Sequence, residues 1–591
     1  GGGEAAAAAA GASASTVATP APVQAPSAVA GAPDASGSAE THTASAATEG
    51  SRKRKKRRRD ASLRATSVPL HATSCDCDEN ASGGAFAATA AQTLEASGNT
   101  PATNSAQPPK SPIEGTRPTI GGSAVLEWIL WPMTSATFFE QYWEKKPLHL
   151  KRGRARYYGD MFTKATLDRL LDEGAPMRYG ERINLTRFDG NIGAKAVLNK
   201  GPTGQCAKAK DIRDAWASGA SLQVIQPQQF HEPTWRLIAG LESSFGALFG
   251  ANTYLTPAGA QGFAPFFDDT EVFMLQLEGS KRWRVWEPPP GEEFPLPRVS
   301  SRDFTLHELG DAPVLDCELQ EGDLLYMPRG FVYAGLAMEG YSHHLTASTY
   351  QRMAWCHLIE RALSSAIERA ATAAEAEYRE GLPVGFLDYM GSWYDHDSSL
   401  AAASGSGRSL VAATAGNAGR ASFMRRFRSL LRRLENFIDL DEACDEIGVE
   451  FMSARLPPPS GVAAAAAPVD KVEVDSFVRW VEFSSVRAML GTDPETSEPM
   501  VLLFHSHDNS RGTHMGGSSV AARGGAEEEV GCLRFDAATF LPSLRTLLAL
   551  PAGTALRCGD LPAADEDDRI ALCENLAAAR LLQVVEARAR F

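Results

Sequence analysis

The residues best placed to do chemistry in this 591-residue chain lie in the stretch Gly262-Phe-Ala-Pro-Phe-Phe-Asp-Asp269. Two adjacent carboxylates, Asp268 and Asp269, lead into the apolar run Val272–Leu277, which reads as a strand. Side chains alternate along a strand, so Asp268 and Asp269 face opposite sides and only one can point into a given cavity. A carboxylate is a hard oxygen donor for a cation, but a cation needs several donors. Two positions before Asp268 stands Phe266, whose phenyl ring has no lone pair to give. Later in the chain, His344 shares strand parity with Ser348, which puts both on one face.

Other chemistries are poorly supplied. The nine cysteines are scattered, and only Cys75 and Cys77 are close together. No Cys-x-x-Cys spacing recurs, which argues against a zinc ribbon or a disulfide framework and fits a reducing compartment. No apolar run approaches the roughly 18–20 residues of a membrane span. Ala5–Ala10 lacks the charged flank and bulky apolar centre of a signal peptide. The chain starts with Gly, so the expectation is that the true N-terminus is missing.

The formal net charge of −14 averages two unlike parts. Residues 1–118 are rich in Ala, Ser, Thr, Gly and Pro and are expected to be disordered, because they cannot bury enough apolar surface to offset ordering entropy. Within them Arg52–Arg59 is an unbroken Lys/Arg run, the composition of a nuclear or nucleolar address or an RNA-contacting arm. The remaining body is acidic, which argues against broad electrostatic adhesion to nucleic acid.

Order is expected from about Ser123, where Val125, Leu126, Ile129 and Leu130 keep helical spacing. Helices are predicted over 160–171 and 233–249, with short strands at Ile183–Phe188 and Gln223–Pro227. From Ala251 to Tyr350 the texture changes to short strands between Gly and Pro turns. These are Asn252–Leu255, Val272–Leu277, Arg282–Trp286, Asp323–Met327, Phe331–Ala334 and His344–Tyr350. Arg282-Trp-Arg-Val-Trp286 alternates polar with apolar, the period of a half-buried strand. Many short strands at regular spacing predict a sandwich or barrel of jelly-roll or cupin type.

After Met353 the pattern turns helical, with Leu358, Ile359, Leu363 and Ile367 in one stripe. The Ala/Gly/Ser-rich residues 398–422 are expected to form a disordered insertion, followed by an Arg-bearing amphipathic helix over Phe423–Leu440. Pro457-Pro-Pro459 opens a linker to about residue 471. Residues 472–591 are expected to form a small α+β module, with helices over Phe535–Leu550 and Asp567–Gln583.

Several longer stretches resemble the ribosomal oxygenases, a nuclear and nucleolar family of JmjC-type Fe(II)/2-oxoglutarate dioxygenases. They are Tyr142-Trp-Glu-Lys-Lys-Pro147, Asn252-Thr-Tyr-Leu-Thr-Pro257, Gln261-Gly-Phe-Ala-Pro265, Leu275-Gln-Leu-Glu-Gly279, Gly322–Phe331 and Leu345–Arg352. The likeness is strongest from Ser123 to Gly391. It implies a mainly β fold with helices: a JmjC/cupin double-stranded β-helix over 119–352, a helical dimerisation region over 353–456 and a C-terminal winged-helix-like module over 472–591. It also implies a homodimer acting on a ribosomal protein or a histone, by histidine hydroxylation or lysine demethylation.

Both reactions use iron held by a His-x-Asp pair and a distant His, with 2-oxoglutarate chelating the metal, the open facial arrangement of non-haem iron oxygenases. Position by position, Asp268 matches the carboxylate ligand, while Phe266 and Tyr333 stand where the two histidines belong. Lys281 matches the lysine that pairs with the far carboxylate of 2-oxoglutarate, and Tyr254 and Ser348 match supporting hydroxyls. Loss of an outer-shell partner alone costs about 10–100-fold, so losing two direct ligands is expected to cost at least about 10⁴. Three readings follow. One is a degenerate oxygenase that binds or scaffolds. Another is an active dioxygenase with a non-standard ligand set. The third is a chromatin or RNA adaptor with a purely structural barrel.

Overall fold

The computed structural model describes residues 92–95, 122–159, 161–189, 194–373, 376–391, 410–459, 471–481, 486–493, 495–516, 531–551, 553–563 and 565–585. The basic run Arg52–Arg59 lies outside them, as do residues 398–409 and most of the linker expected at 457–471.

In chain order the first domain comprises β1 (Gln92–Glu95), α1 (Gly122–Leu130), α2 (Ser135–Gln141), β2 (Leu148–Lys151), α3 (Lys164–Asp172), β3 (Ile183–Asp189), β4 (Ala194–Val197), α4 (Ala209–Ala217), β5 (Ser221–Ile225) and α5 (Glu232–Phe245). It continues through β6 (Phe249–Thr256), β7 (Glu271–Glu278), β8 (Lys281–Trp286), β9 (Leu315–Leu319), β10 (Leu324–Met327), β11 (Val332–Ala337) and β12 (Ser342–Thr349). Nine strands form one sheet in the order β1-β2-β10-β7-β12-β6-β5-β3-β4, and β11-β8-β9 form a second. A short bridge between Phe266 and Tyr333 adds a fourth segment to the edge of the smaller sheet. The central strands β6-β12-β7-β10 and the smaller sheet are thus the two halves of a jelly roll.

Alternation decides what each strand offers. On β7, Phe273 and Leu275 join α1 and α5 in one core with Trp128, Ile129, Leu237 and Leu241, while Val272 and Met274 face the smaller sheet. On β12, Leu345 and Ala347 belong to the helix-side core, which leaves His344, Thr346 and Ser348 for the cavity between the sheets. The crossing from one sheet to the other is the tight turn at Gly279, whose φ is +64°. A Cβ there would run into the Tyr341 carbonyl, so only glycine fits, and the turn delivers Lys281 to the first position of β8.

After the jelly roll come α6 (Trp355–Thr372), α7 (Leu410–Leu434) and α8 (Leu440–Ala454). The C-terminal part has β13 (Phe477–Trp480), β14 (Val486–Thr492), β15 (Pro499–His505), β16 (Gly531–Asp536), α9 (Ala537–Leu548), β17 (Leu556–Arg557), α10 (Glu566–Ala578) and β18 (Leu582–Val585). Two three-stranded antiparallel sheets, β17-β13-β18 and β14-β15-β16, make it an α+β unit with its own core around Val478, Leu503, Leu547 and Leu576.

Several expectations need correction. Helix α7 starts at Leu410, inside the stretch expected to be unstructured, because alanine favours helix strongly enough to carry the glycines with it. Strand β1 falls within the tail expected to lack structure; it pairs parallel with β2, where backbone hydrogen bonds alone suffice. The predicted helix over Asp567–Gln583 ends at Ala578, and Leu582–Val585 turns back as β18. Strands β9, β14, β15 and β16 were not anticipated, since β-structure in such short pieces depends on partners far away in sequence.

Pro457-Pro-Pro459 is buried rather than a free linker: the Trp235 indole N–H donates to the Pro457 carbonyl at 2.9 Å. Nearby, the carboxylate of Glu242 on α5 accepts from the His514 Nε2 at 2.7 Å and from the Leu456 N–H at 3.1 Å. Both Glu242 and His514 are fully buried. Arg511 stacks over Trp235 at 4.0 Å. These contacts fasten the C-terminal unit to the jelly roll.

Candidate functional site

A cavity of about 380 Å³ opens between the two sheets, and seven of the eight residues singled out from the sequence line it: Tyr254, Phe266, Asp268, Lys281, Tyr333, His344 and Ser348. Asp269 points the other way, bonded to Ser300 Oγ at 2.7 Å and to Gln351 at 3.1 Å, as alternation requires. Lys281 and Tyr333 come from the smaller sheet, and Tyr254 and Ser348 from the larger one.

Phe266 and Tyr333, which the resemblance matches to the two histidine positions, are bound to each other. The Tyr333 N–H donates to the Phe266 carbonyl at 3.0 Å, and the rings lie 5.0 Å apart. The Tyr333 hydroxyl donates to a carboxylate oxygen of Asp268. Burial pushes the Asp268 carboxyl up to about 6, against the pull of that hydrogen bond. Burial, with the neighbouring carboxylate, raises the Tyr333 phenol well above its ordinary value. Tyr333 therefore stands as a neutral donor to Asp268 rather than as a phenolate.

At the other side, Lys281 is 5 % exposed and lies 4.8 Å over the Trp283 ring, with Thr256 Oγ1 3.4 Å away. Burial pushes its ammonium down to about 7. Gly335 leaves the room it needs, since a Cβ there would meet the lysine's Cε at 2.6 Å. His344 stacks on Tyr254 at 5.0 Å, and its Nδ1 has no partner among the described residues. Burial, then the nearby Lys281, hold His344 well below its usual range. Tyr254 accepts from Gln223 at 3.2 Å and is pushed up to about 12, chiefly by burial.

Sequence reasoning missed the aromatic girdle. Successive ring contacts run Tyr254–Phe263 (5.4 Å), Phe263–Phe266 (6.2 Å), Phe266–Tyr333 (5.0 Å), Tyr333–Trp283 (5.9 Å), Trp283–His344 (5.2 Å) and His344–Tyr254 (5.0 Å), closing a loop of six rings. The alternation of Arg282–Trp286 was the one available signal, for Trp283 alone.

A two-sheet jelly roll with a cavity between the sheets places the chain in the JmjC class, and a JmjC domain model matches residues 223–354. Ribosomal oxygenase 1 of Danio rerio is 33 % identical over 450 residues, covering 73 % of this chain and 76 % of that protein. Its Homo sapiens counterpart is 33 % identical over 474 residues, covering 76 % and 66 %. The Dictyostelium discoideum bifunctional lysine-specific demethylase and histidyl-hydroxylase NO66 is 31 % identical over 405 residues, covering 67 % and 72 %. The chain belongs to the ribosomal oxygenase family.

The family's dioxygenase chemistry needs Fe(II) and 2-oxoglutarate, and the residues present can be tested against both. Fe(II) requires several lone pairs on one side of one point. Here Phe266 offers none, and the Tyr333 hydroxyl is spent on Asp268. Among the described residues no three His, Cys, Asp or Glu side chains gather so as to hold a metal. This donor set does not match an Fe(II) site. The cosubstrate side fits better, since Lys281, Tyr254 and Ser348 share the cavity.

Proposed function

We propose that this ribosomal oxygenase homologue works without iron, as a binding or scaffold protein whose jelly-roll cavity receives an organic ligand or side chain. The observation that carries this reading is the Phe266–Tyr333–Asp268 unit. The replacements do not leave a gap that another metal ligand fills; they form a closed pair whose one hydroxyl satisfies the one remaining carboxylate. Calorimetric titration of the full chain with Fe(II) under anaerobic conditions tests it. No stoichiometric binding is expected in the native protein, and binding is expected to appear in the Phe266→His, Tyr333→His double variant. Tight one-to-one binding by the native chain, or 2-oxoglutarate turnover by it, would instead favour a dioxygenase with a non-standard ligand set.

The partner reading follows from surface chemistry. One face of α6 exposes Trp355, Ile359 and Ile367, Trp355 to 79 %, at spacings of four and eight residues. Such a stripe fits a homodimer contact. The Dictyostelium relative is named for action on lysine and histidine. With the acidic balance of this chain, a basic protein segment, such as a ribosomal protein or a histone, is the partner class we infer. Arg52–Arg59 supports a nuclear, nucleolar address and an RNA contact. We read the C-terminal α+β unit as winged-helix-like.

A further inference from the structure

The C-terminal unit reaches the jelly-roll cavity through the connection between β15 and β16. In that connection the Asn509 side-chain amide donates to the carbonyls of Met452 at 2.8 Å and Arg455 at 2.9 Å. Arg511 donates to the Gln228 carbonyl at 3.0 Å. His514 is fully buried; its Nε2 donates to Glu242, and its Nδ1 accepts from the Gln228 side-chain amide at 3.1 Å. The next residue, Met515, has φ +59°, a left-handed backbone that is costly for any residue with a bulky side chain. Such a conformation persists only where the surroundings over-determine it, and the anchors on either strand end of α5 do so here.

Strand register shows where Met515 lands. Across β6 and β12 the directly opposed pairs are Tyr254–His344, Asn252–Thr346 and Gly250–Ser348, so all six share one face of the sheet. Five of them line the cavity and Gly250 does not. A Cβ on Gly250 would lie 3.0 Å from the Met515 Sδ and 3.9 Å from the Ser348 Oγ. The thioether therefore covers the glycine, beside the last residue of the row that the cavity reaches. A glycine inside a strand marks such a close approach. We infer that Met515 is the end wall of the cavity and a specificity-determining residue, which sets how far along the β6–β12 row a ligand extends. The C-terminal unit is then part of the binding site as well as fastened to it.

This role rests on the cavity being a ligand site, as proposed above, whereas its test needs neither metal nor ligand, so a missing wall and a failed iron titration are told apart. Ser348→Cys in the full chain puts a reporter thiol beside Met515. The protein is treated with methyl methanethiosulfonate or the bulkier benzyl methanethiosulfonate, and modification is mapped by peptide mass spectrometry, with the exposed Cys206 as internal reference. Adding Met515→Gly removes the side chain and suits the left-handed backbone, so the connection keeps its course. It is expected to raise the benzyl rate at the introduced thiol at least about tenfold relative to Cys206, and the methyl rate by less. Adding Met515→Leu instead keeps the bulk and should leave both rates unchanged. Equal benzyl rates with methionine and with glycine at this position overturn the inference. So does an equal rise at the buried Cys317, which would report loosening of the jelly roll rather than loss of a wall.

Discussion

Replacing Asp268 by Asn separates a carboxylate kept for a metal from one merely buried against the Tyr333 hydroxyl. The Asp268 carboxyl rises from an unfolded value of 3.8 to about 6 in the fold. The folded protein therefore holds the proton more tightly than the unfolded chain. This group's contribution to stability is full below about 3.8 and is lost as pH rises through about 6. Integrating the linkage, that loss is about 1 kcal/mol by pH 4.5 and about 3 kcal/mol by pH 7.5. Asparagine cannot ionise, and its Oδ1 still accepts from Tyr333, at the cost of a buried amide N–H worth about 1–2 kcal/mol. Asp268→Asn is thus expected to be near neutral at pH 4.5 and stabilising by about 1–2 kcal/mol at pH 7.5, the difference of about 2 kcal/mol being the sharper figure. Urea unfolding of the full chain at the two pH values, in chelator, measures it. Equal destabilisation at both would refute the reasoning, because the carboxylate would then have a partner that ionisation favours.

Three further outcomes are expected. His514→Ala leaves the fully buried Glu242 without its closest partner and should cost about 3–5 kcal/mol, with proteolysis between the jelly roll and the C-terminal unit accelerated before global unfolding. Trp355→Asp with Ile359→Asp puts charge on the exposed stripe of α6, and sedimentation should show a shift from dimer to monomer with the jelly roll intact. Deleting residues 52–59 should move the protein from nucleus to cytoplasm and reduce salt-sensitive RNA binding, as fluorescence imaging and filter binding would register.

Much of the site was legible because strand parity is local. His344 with Ser348, and Asp268 against Asp269, needed only the period of two to be assigned to the right faces, and the structure puts them there. Lys281, Tyr254 and Ser348, which motif resemblance matched to the cosubstrate, do share one cavity. The C-terminal sheets were illegible because β14–β16 lack strong alternation and acquire their pairing from each other. Pro457-Pro-Pro459 looked like a linker because composition cannot reveal that a tryptophan 222 residues earlier binds its carbonyl.

By itself the sequence determined the family and the jelly-roll class, and its resemblance led to the expectation that two of three metal positions carry residues unable to act as histidines do. That Phe266 lacks a lone pair is a property of the residue and needs no coordinates. Only the tertiary structure decided what those replacements became. Tyr333 lies 65 residues from Asp268, and periodicity fixes a face but not a neighbour. Their hydrogen bond, the loop of six rings and the seat of Lys281 over Trp283 all depend on distances between segments that the chain brings together only when both sheets close on the cavity.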